Sequence, residues 1–227
     1  MHKAFFWLAA AIALGPFAAA QAQTYPNRAI RLVGPFPPGG SNDLIARIVA
    51  GKLDESLGQR VVVDNRPGGN GVIGTQIVAR AAPDGYTILW VPAVHAINAA
   101  LQSNLPYDSI RDFSPVTNIA SAPNVLVVHP SVPARSVRDL IRLAKTRPGY
   151  SIETWFGIFL PAGTPGEVVA RLQTEIVRII RLPDVRELLS AQGADVIGST
   201  PEEFAAYVKS EIEKWKRVIK AAGVRPE

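Results

Sequence analysis

The chain has 227 residues, a net charge of +5 at neutral pH, 19% charged side chains and no cysteine. The length is enough for one large domain or two small ones with a hydrophobic core, and the missing cysteine excludes a disulfide-stapled scaffold, a thiol nucleophile and a lipid-anchored lipoprotein. Arg31, Arg47, Arg60, Arg66, Arg80 and Arg111 stand singly among apolar or acidic neighbours, which argues against a nucleic-acid partner and leaves a mild basic excess that suits an anionic small molecule.

Met1-His2-Lys3 is a short positive start, Ala4 to Ala20 is an apolar run, and Ala20-Gln21-Ala22 has the small-x-small form at which signal peptidase cuts. Residues 1–22 therefore read as a signal peptide, too short for a comfortable membrane span, which takes about 20 apolar residues. The remaining chain is expected to be exported, with no direct membrane insertion.

Residues 28–82 read as two successive strand–loop–helix units. Ala29 to Val33 is the first strand and Pro35-Phe36-Pro37-Pro38-Gly39-Gly40 stops it. Ser41 or Asn42 is placed to cap a helix whose Leu44, Ile45, Ile48, Val49, Leu53 and Leu57 recur at helical spacing until Gly58 ends it. Val61-Val62-Val63 is the next strand, a continuous apolar run of the kind buried in a parallel sheet. Asn65 to Gly71 forms a second glycine-rich loop before a helix over about 72–82, and a turn at Pro83-Asp84-Gly85 leads to a strand over 86–91. This β-α-β-α-β order predicts a parallel sheet with right-handed crossovers.

Residues 102–115 read as irregular chain, Asn124 to His129 as a strand, and Ser136-Val137-Arg138-Asp139 as a capping-box start for a short helix stopped by Pro148-Gly149. Thr154 to Leu160 is another strand. Thr164-Pro165-Gly166-Glu167 and Thr200-Pro201-Glu202-Glu203 each announce a helix with Thr as cap and Pro at its first position. Between them a short helix over 184–192 ends at Gly193.

Both glycine-rich loops lie at the carboxyl ends of strands and open helices. Free first-turn N–H groups and the positive dipole end make such places natural anion sites. Two of them at neighbouring strand ends point to a ligand crevice. Gly69-Asn70-Gly71-Val72-Ile73-Gly74 spells the dinucleotide fingerprint G-x-G-x-x-G, but that fingerprint needs an acidic residue about 20 positions on, where Leu89 to Ala93 offer none. Past the leader the chain holds only His95 and His129, with no G-x-S-x-G elbow and no H-E-x-x-H. No enzyme, metal or cofactor is expected on these grounds. His95, just past the third strand, is a candidate ligand contact. A hydrolase using Ser41 with His95 is a minor competing reading.

Four stretches together carry a resemblance: Tyr25-Pro26, Pro35 to Asp43, Val63-Asp64-Asn65-Arg66-Pro67-Gly68-Gly69, and Ala82-Pro83-Asp84-Gly85-Tyr86-Thr87. With Asp112-Phe113, Pro115-Val116, Trp155-Phe156-Gly157 and Pro161 to Pro165, they look like the Bug family, the TctC-type extracytoplasmic solute receptors of tripartite tricarboxylate transporters. The resemblance implies an α/β, type II periplasmic-binding-protein-like fold, with a parallel-rich sheet and flanking helices. It also implies a periplasmic location, a small carboxylate ligand, and delivery to the membrane components of such a transporter. By the match to the family's first loop, Gly39, Gly40, Ser41, Asn42 and Asp43 are ligand-binding candidates; Gly69, Asn70 and Gly71 are weaker ones. The family usually has Ser or Thr where Asn42 stands.

The chain departs from the family after Thr146-Arg147-Pro148-Gly149, which runs directly into Tyr150 to Trp155. Family members continue there through most of a second lobe. The expected organisation is thus a first lobe from 23–122 and 151–227, near complete, and a second lobe truncated to a remnant at 123–150. The competing reading is a non-binding remnant that survives as an interaction module or swapped dimer.

Overall fold

The computed structural model describes residues 25–123, 136, 138, 139 and 153–224. The expected leader, the strand over 124–129 and most of the helix begun at Ser136 lie outside the described residues. At that helix start, the Asp139 amide donates to Ser136 Oγ at 3.1 Å, one half of the expected capping box.

The chain order is β1 (Ile30–Gly34), α1 (Ser41–Leu57), β2 (Val61–Asn65), a 3₁₀ turn (Gly69–Gly71), α2 (Val72–Ala79), β3 (Thr87–Pro92) and α3 (Val94–Leu101). Next come β4 (Phe113–Pro123), β5 (Glu153–Pro161), α4 (Gly166–Ile180), α5 (Pro183–Ala191), the two-residue β6 (Asp195–Val196) and α6 (Pro201–Ala222). Among the described residues, one six-stranded sheet runs β2-β1-β3-β5-β4-β6. It is mixed: β1 pairs in parallel with β2 and β3, whereas β3–β5, β5–β4 and β4–β6 are antiparallel.

Successive side chains of a strand point to opposite faces, and this sheet buries both. Leu32, Ile88, Trp90, Phe156, Ile158 and Leu160 face a core completed by Ile45, Val49 and Leu53 of α1, Leu172 and Ile176 of α4, and Leu189 of α5. Val33, Leu89, Val91, Trp155 and Phe159 face the other, completed by Val78 of α2, Ala96 of α3, and Phe204, Val208 and Ile212 of α6. Double burial explains the apolar run Ile88 to Val91 in β3, whereas Val61 to Val63, expected to be buried on both faces, form the edge strand β2 with Val62 exposed.

Several local expectations need correction. Neither Ser41 nor Asn42 caps α1: Gly40 is the N-cap, no side chain bonds the free amides, and Ser41 is the first helical residue. Thr164 does not cap α4, whose N-cap is Pro165; its buried hydroxyl donates to the Pro161 carbonyl at 2.7 Å instead. Thr200 does cap α6, with the full reciprocal box to Glu203. β4 occupies the end of the stretch expected to be irregular. Its pairing with β5 shifts register twice, between Pro115 and Thr117 and between Asn118 and Ala120, which breaks the two-residue period. Helix α3 had no counterpart in the sequence reading.

The pairing sets what meets at each end of the sheet. Gly34 lies opposite Asn65, Pro92 opposite Phe156, and Pro123 opposite Glu153. The carboxyl ends of β1, β2, β3 and β4 therefore share one end with the start of β5. Helices α1, α2 and α3 all begin there. So does the chain that leaves β4 at Pro123 and returns at Glu153.

Candidate ligand site at the strand ends

The first loop, Pro35 to Gly40, turns the chain from β1 into α1. Gly39 has φ 93° and Gly40 is extended; a side chain at the first position would be strained. Gly39, Gly40 and Ser41 are exposed and Asn42 is half-buried. The amides of Ser41, Asn42 and Asp43 are first-turn donors without intrahelical acceptors, and the first bond of the ladder is from the Leu44 amide to the Gly40 carbonyl, 3.0 Å.

Asp43 holds this turn in place from below. Its buried carboxylate accepts from the Gly39 amide at 3.0 Å, Arg47 Nε at 2.9 Å and Asn65 Nδ2 at 2.9 Å. Burial alone would raise its pKa, but the bonds from Arg47, Gly39 and Asn65 outweigh it and hold the carboxyl below its ordinary value. With its acceptors engaged inside the protein, Asp43 shapes the loop and is not a free contact for a ligand.

Asn65, the last residue of β2, ties the two loops together. Its Nδ2 donates to the Phe36 carbonyl at 3.1 Å as well as to Asp43, and its Oδ1 accepts from Arg47 at 3.0 Å. Arg31 and Arg66 both pair with Asp64, at 2.6 and 2.9 Å. The guanidinium groups around the loops are thus already matched to carboxylates, and the unmatched positive potential resides in backbone N–H groups.

In the second loop, Asn70 stands at φ 52°, ψ 41°, and Gly71 caps α2 at φ 90° without a side-chain cap. The left-handed turn at Asn70 is held by a reciprocal amide pair: Asn70 Nδ2 donates to Asn98 Oδ1 at 3.2 Å and Asn98 Nδ2 to the Asn70 carbonyl at 2.9 Å. Asn98 is 1% exposed. Gly69 and Asn70 are exposed, whereas Gly71 is buried. A Cβ on Gly74 would stand 2.8 Å from both Pro35 Cβ and the Arg66 carbonyl. The last glycine of the apparent fingerprint therefore serves close packing of α2 on the first loop.

His95 leaves the candidate set. It sits in the first turn of α3 but is 1% exposed, with its ring against Tyr107, Phe113 and Phe159 and Nε2 bonded to the Ser109 carbonyl at 3.0 Å. Burial pushes its pKa down to about 4, against the opposing effect of that carbonyl bond. Apolar neighbours on α3, β4 and β5 draw it into the core, out of a ligand's reach. Ser41, exposed at the loop, has no hydrogen bond to it, which removes the Ser–His reading.

The structure thus assembles Gly39 to Asp43 and Gly69 to Gly71 at one end of the sheet. Sequence reasoning missed Asn65, Arg47, Asn98 and Trp90, whose Nε1 donates to Asn42 Oδ1 at 2.7 Å. Asn65 stood within a recognised motif; the other three carried no local signal. Cavities of about 490 Å³, lined among others by Tyr107, Ser109 and Ile212, and of about 520 Å³, lined by Phe113, Val169 and Pro201, lie away from these loops. No described helix is long and apolar enough to cross a membrane, and among the described residues no cluster could hold a metal.

Comparison with known proteins follows the same lines. Residues 45–152 and 149–224 match the family described as Tripartite tricarboxylate transporter family receptor, TctC. The two matched stretches meet at 149–152. A UPF0065 protein encoded between tcbD and tcbE in Pseudomonas sp. (strain P51) is 30% identical over 290 aligned positions, 86% of each chain. That alignment is longer than the 227 residues of this chain, so it includes positions that this chain skips. Protein BugT of Bordetella pertussis is 27% identical over 93% of this chain and 94% of its own length. Among solved structures, an R. palustris protein with adipate superposes with a TM-score of 0.78 at 27% identity, over 89% of this chain and 100% of its own. A periplasmic transporter does so with a TM-score of 0.76 at 29% identity, over 88% and 99%.

Proposed function

The chain belongs to the TctC (Bug) receptor family of tripartite tricarboxylate transporters, periplasmic solute-binding proteins and not enzymes, and from that premise we propose that it is a receptor for a small di- or tricarboxylate with a severely reduced second lobe. The observation that carries the ligand class is the uncapped start of α1. The amides of Ser41, Asn42 and Asp43 open onto an exposed Gly39-Gly40 turn, in a setting whose arginines are already paired. A carboxylate seated there completes the helix's hydrogen bonding and meets its positive dipole end. Gly39, Gly40, Ser41 and Asn42 are the direct contacts in this reading, Gly69, Asn70 and Gly71 are accessory, and Asp43 supports from beneath. The adipate of the R. palustris relative supports a dicarboxylate.

The remaining parts of the reading rest on sequence and topology. Residues 1–22 direct export to the periplasm, and the bound acid passes to the membrane components of a tripartite transporter. Residues 23–122 and 151–227 form one lobe, and 123–150 stand where the other is inserted. The two family matches meeting at 149–152 support a junction there, and the chain leaves the sheet at Pro123 and returns at Glu153 on the end that carries the glycine loops, where a complete second lobe would form the opposing wall of the cleft.

Losing that wall weakens binding. Closed sites bury roughly 70–90% of a small ligand. A micromolar complex is worth about −8 kcal/mol, and half of that leaves about −4, in the millimolar range. Calorimetric titration with succinate, glutarate, adipate and citrate tests the reading. We expect millimolar dissociation constants for at least one acid. Heats of dilution alone for all four acids would leave the remnant reading, for which the skipped positions in the Pseudomonas alignment speak.

A further inference from the structure

Asparagine followed by glycine is the dipeptide most prone to spontaneous deamidation, because glycine has no Cβ to shield its own amide nitrogen. Asn70-Gly71 is the one such pair in the sequence, and the structure puts it in the second loop with Asn70 exposed and Gly71 buried. In the reaction the Gly71 nitrogen, having lost its proton to a base in solvent, attacks Asn70 Cγ. The N–Cγ bond forms, the Cγ–Nδ2 bond breaks, and ammonia leaves with a proton taken from water. Water then opens the cyclic imide at either of its carbonyls, giving aspartate or isoaspartate. Water and its ions are the only co-reactants.

The folded loop opposes each part of this step. The Gly71 N–H donates to the Gly68 carbonyl at 3.0 Å, which retains the proton that has to leave. The ψ of Asn70 is 41°, which sets the Gly71 nitrogen nearly anti to Cβ about the Cα–C bond, out of reach of Cγ. Asn98 of α3 fixes both halves of the residue. Its Oδ1 accepts from Asn70 Nδ2, the leaving nitrogen, at 3.2 Å, and its Nδ2 donates to the Asn70 carbonyl at 2.9 Å. The first bond holds the side chain; the second holds the peptide plane whose rotation would bring the Gly71 nitrogen round. Asn98 is itself 1% exposed, so the clamp is anchored in the packed body of the protein. We propose that Asn70 is a modification site for deamidation, and that Asn98 restricts the reaction to open states of the loop in which both of its bonds are broken. The product cannot close again as before. An aspartate has no N–H₂ to offer Asn98 Oδ1 and turns a negative charge on that acceptor, and isoaspartate adds a methylene to the backbone of the left-handed turn. None of this depends on what the loop binds.

The test incubates the full chain at mildly alkaline pH, folded and unfolded in urea, beside its Asn98→Ala and Gly157→Ala variants. Peptide mapping by mass spectrometry follows the change from amide to acid at Asn70, and isoaspartate is counted separately. Gly157→Ala is the control for general loss of stability, since it disturbs the contact of β5 with Phe204 and leaves Asn98 in place. Expected are conversion at Asn70 at least about 10-fold slower in the folded chain than in the unfolded one, and a gain of about 10-fold in Asn98→Ala. Gly157→Ala is expected to stay within about twofold of the unmodified chain. Equal rates in Asn98→Ala and the unmodified chain, or equal acceleration by Gly157→Ala, overturn the role of Asn98. No conversion at Asn70 in the unfolded chain overturns the site. Hydrogen exchange of the Gly71 amide in the unmodified chain needs no variant to fold. Protection of at least about 10-fold is expected there, and an unprotected Gly71 amide overturns the clamp.

Discussion

His95 takes up a proton only near pH 4, because its buried ring among Tyr107, Phe113 and Phe159 offers the imidazolium no water. In the unfolded chain the same group titrates near its ordinary value of 6.5. Between these pH values the unfolded state holds more protons, so stability is complete above pH 6.5 and falls as the pH drops towards 4, by about 3 kcal/mol in all. Replacement by phenylalanine should remove that share of the acid sensitivity. Urea unfolding of His95→Phe and the unmodified chain at pH 7, 5.5 and 4.5 would check it, and parallel loss of stability in both would refute it. The histidine also shows where residue-level reading fails. Its place after β3 was legible, but its direction depended on aromatic partners on other elements. Glycines were easier, since Gly39 and Gly71 mark turns whose backbone itself demands them. Asn65, Asn98 and Trp90 act through partners 22 to 48 positions away, a separation that no local pattern reports.

At the level of elements, the start and stop signals were read correctly where chemistry and backbone agreed, as at Gly58, in left-handed conformation after α1, and at the Thr200 box. They misled at Thr164, whose hydroxyl donates back to the Pro161 carbonyl while the helix starts one residue later, with Pro165 as its N-cap. Strand β4 was hidden for another reason: it buries the polar residues Thr117 and Asn118, which Ser199 holds through Thr117 Oγ1 donating to the Ser199 carbonyl at 2.7 Å and the Asn118 backbone N–H donating to Ser199 Oγ at 2.9 Å. Helix α3 follows β3 with no side-chain cap to announce it. The packing of elements gives a sharp test at Gly157 on β5, where an added Cβ would stand 2.2 Å from Phe204 Cζ of α6. Gly157→Ala must push α6 off the sheet or force Phe204 from its rotamer, so a loss of about 1–3 kcal/mol is expected. A thermal melt measures it, and restoration by Gly157→Ala/Phe204→Leu would trace the loss to this contact.

For the molecule as a whole, the described residues on either side of 124–152 form one sheet with a core on each face. Because β4 and β5 are antiparallel neighbours with Pro123 opposite Glu153, a turn of about 4 or 5 residues is long enough to join them. Replacing 124–152 by such a turn should leave a cooperative melt, displaced by no more than a few degrees since loop length alone costs little. Collapse of the transition would mean that the intervening chain supplies part of the fold.

The same geometry makes this point of the sheet a socket. Paired residues of adjacent antiparallel strands lie about 4.5–5.5 Å apart, so any inserted domain with neighbouring termini can be plugged in between Pro123 and Glu153 without threading the chain through itself. A circularly permuted fluorescent protein placed there would share the sheet end that carries the glycine loops and could convert occupancy of the turn into light.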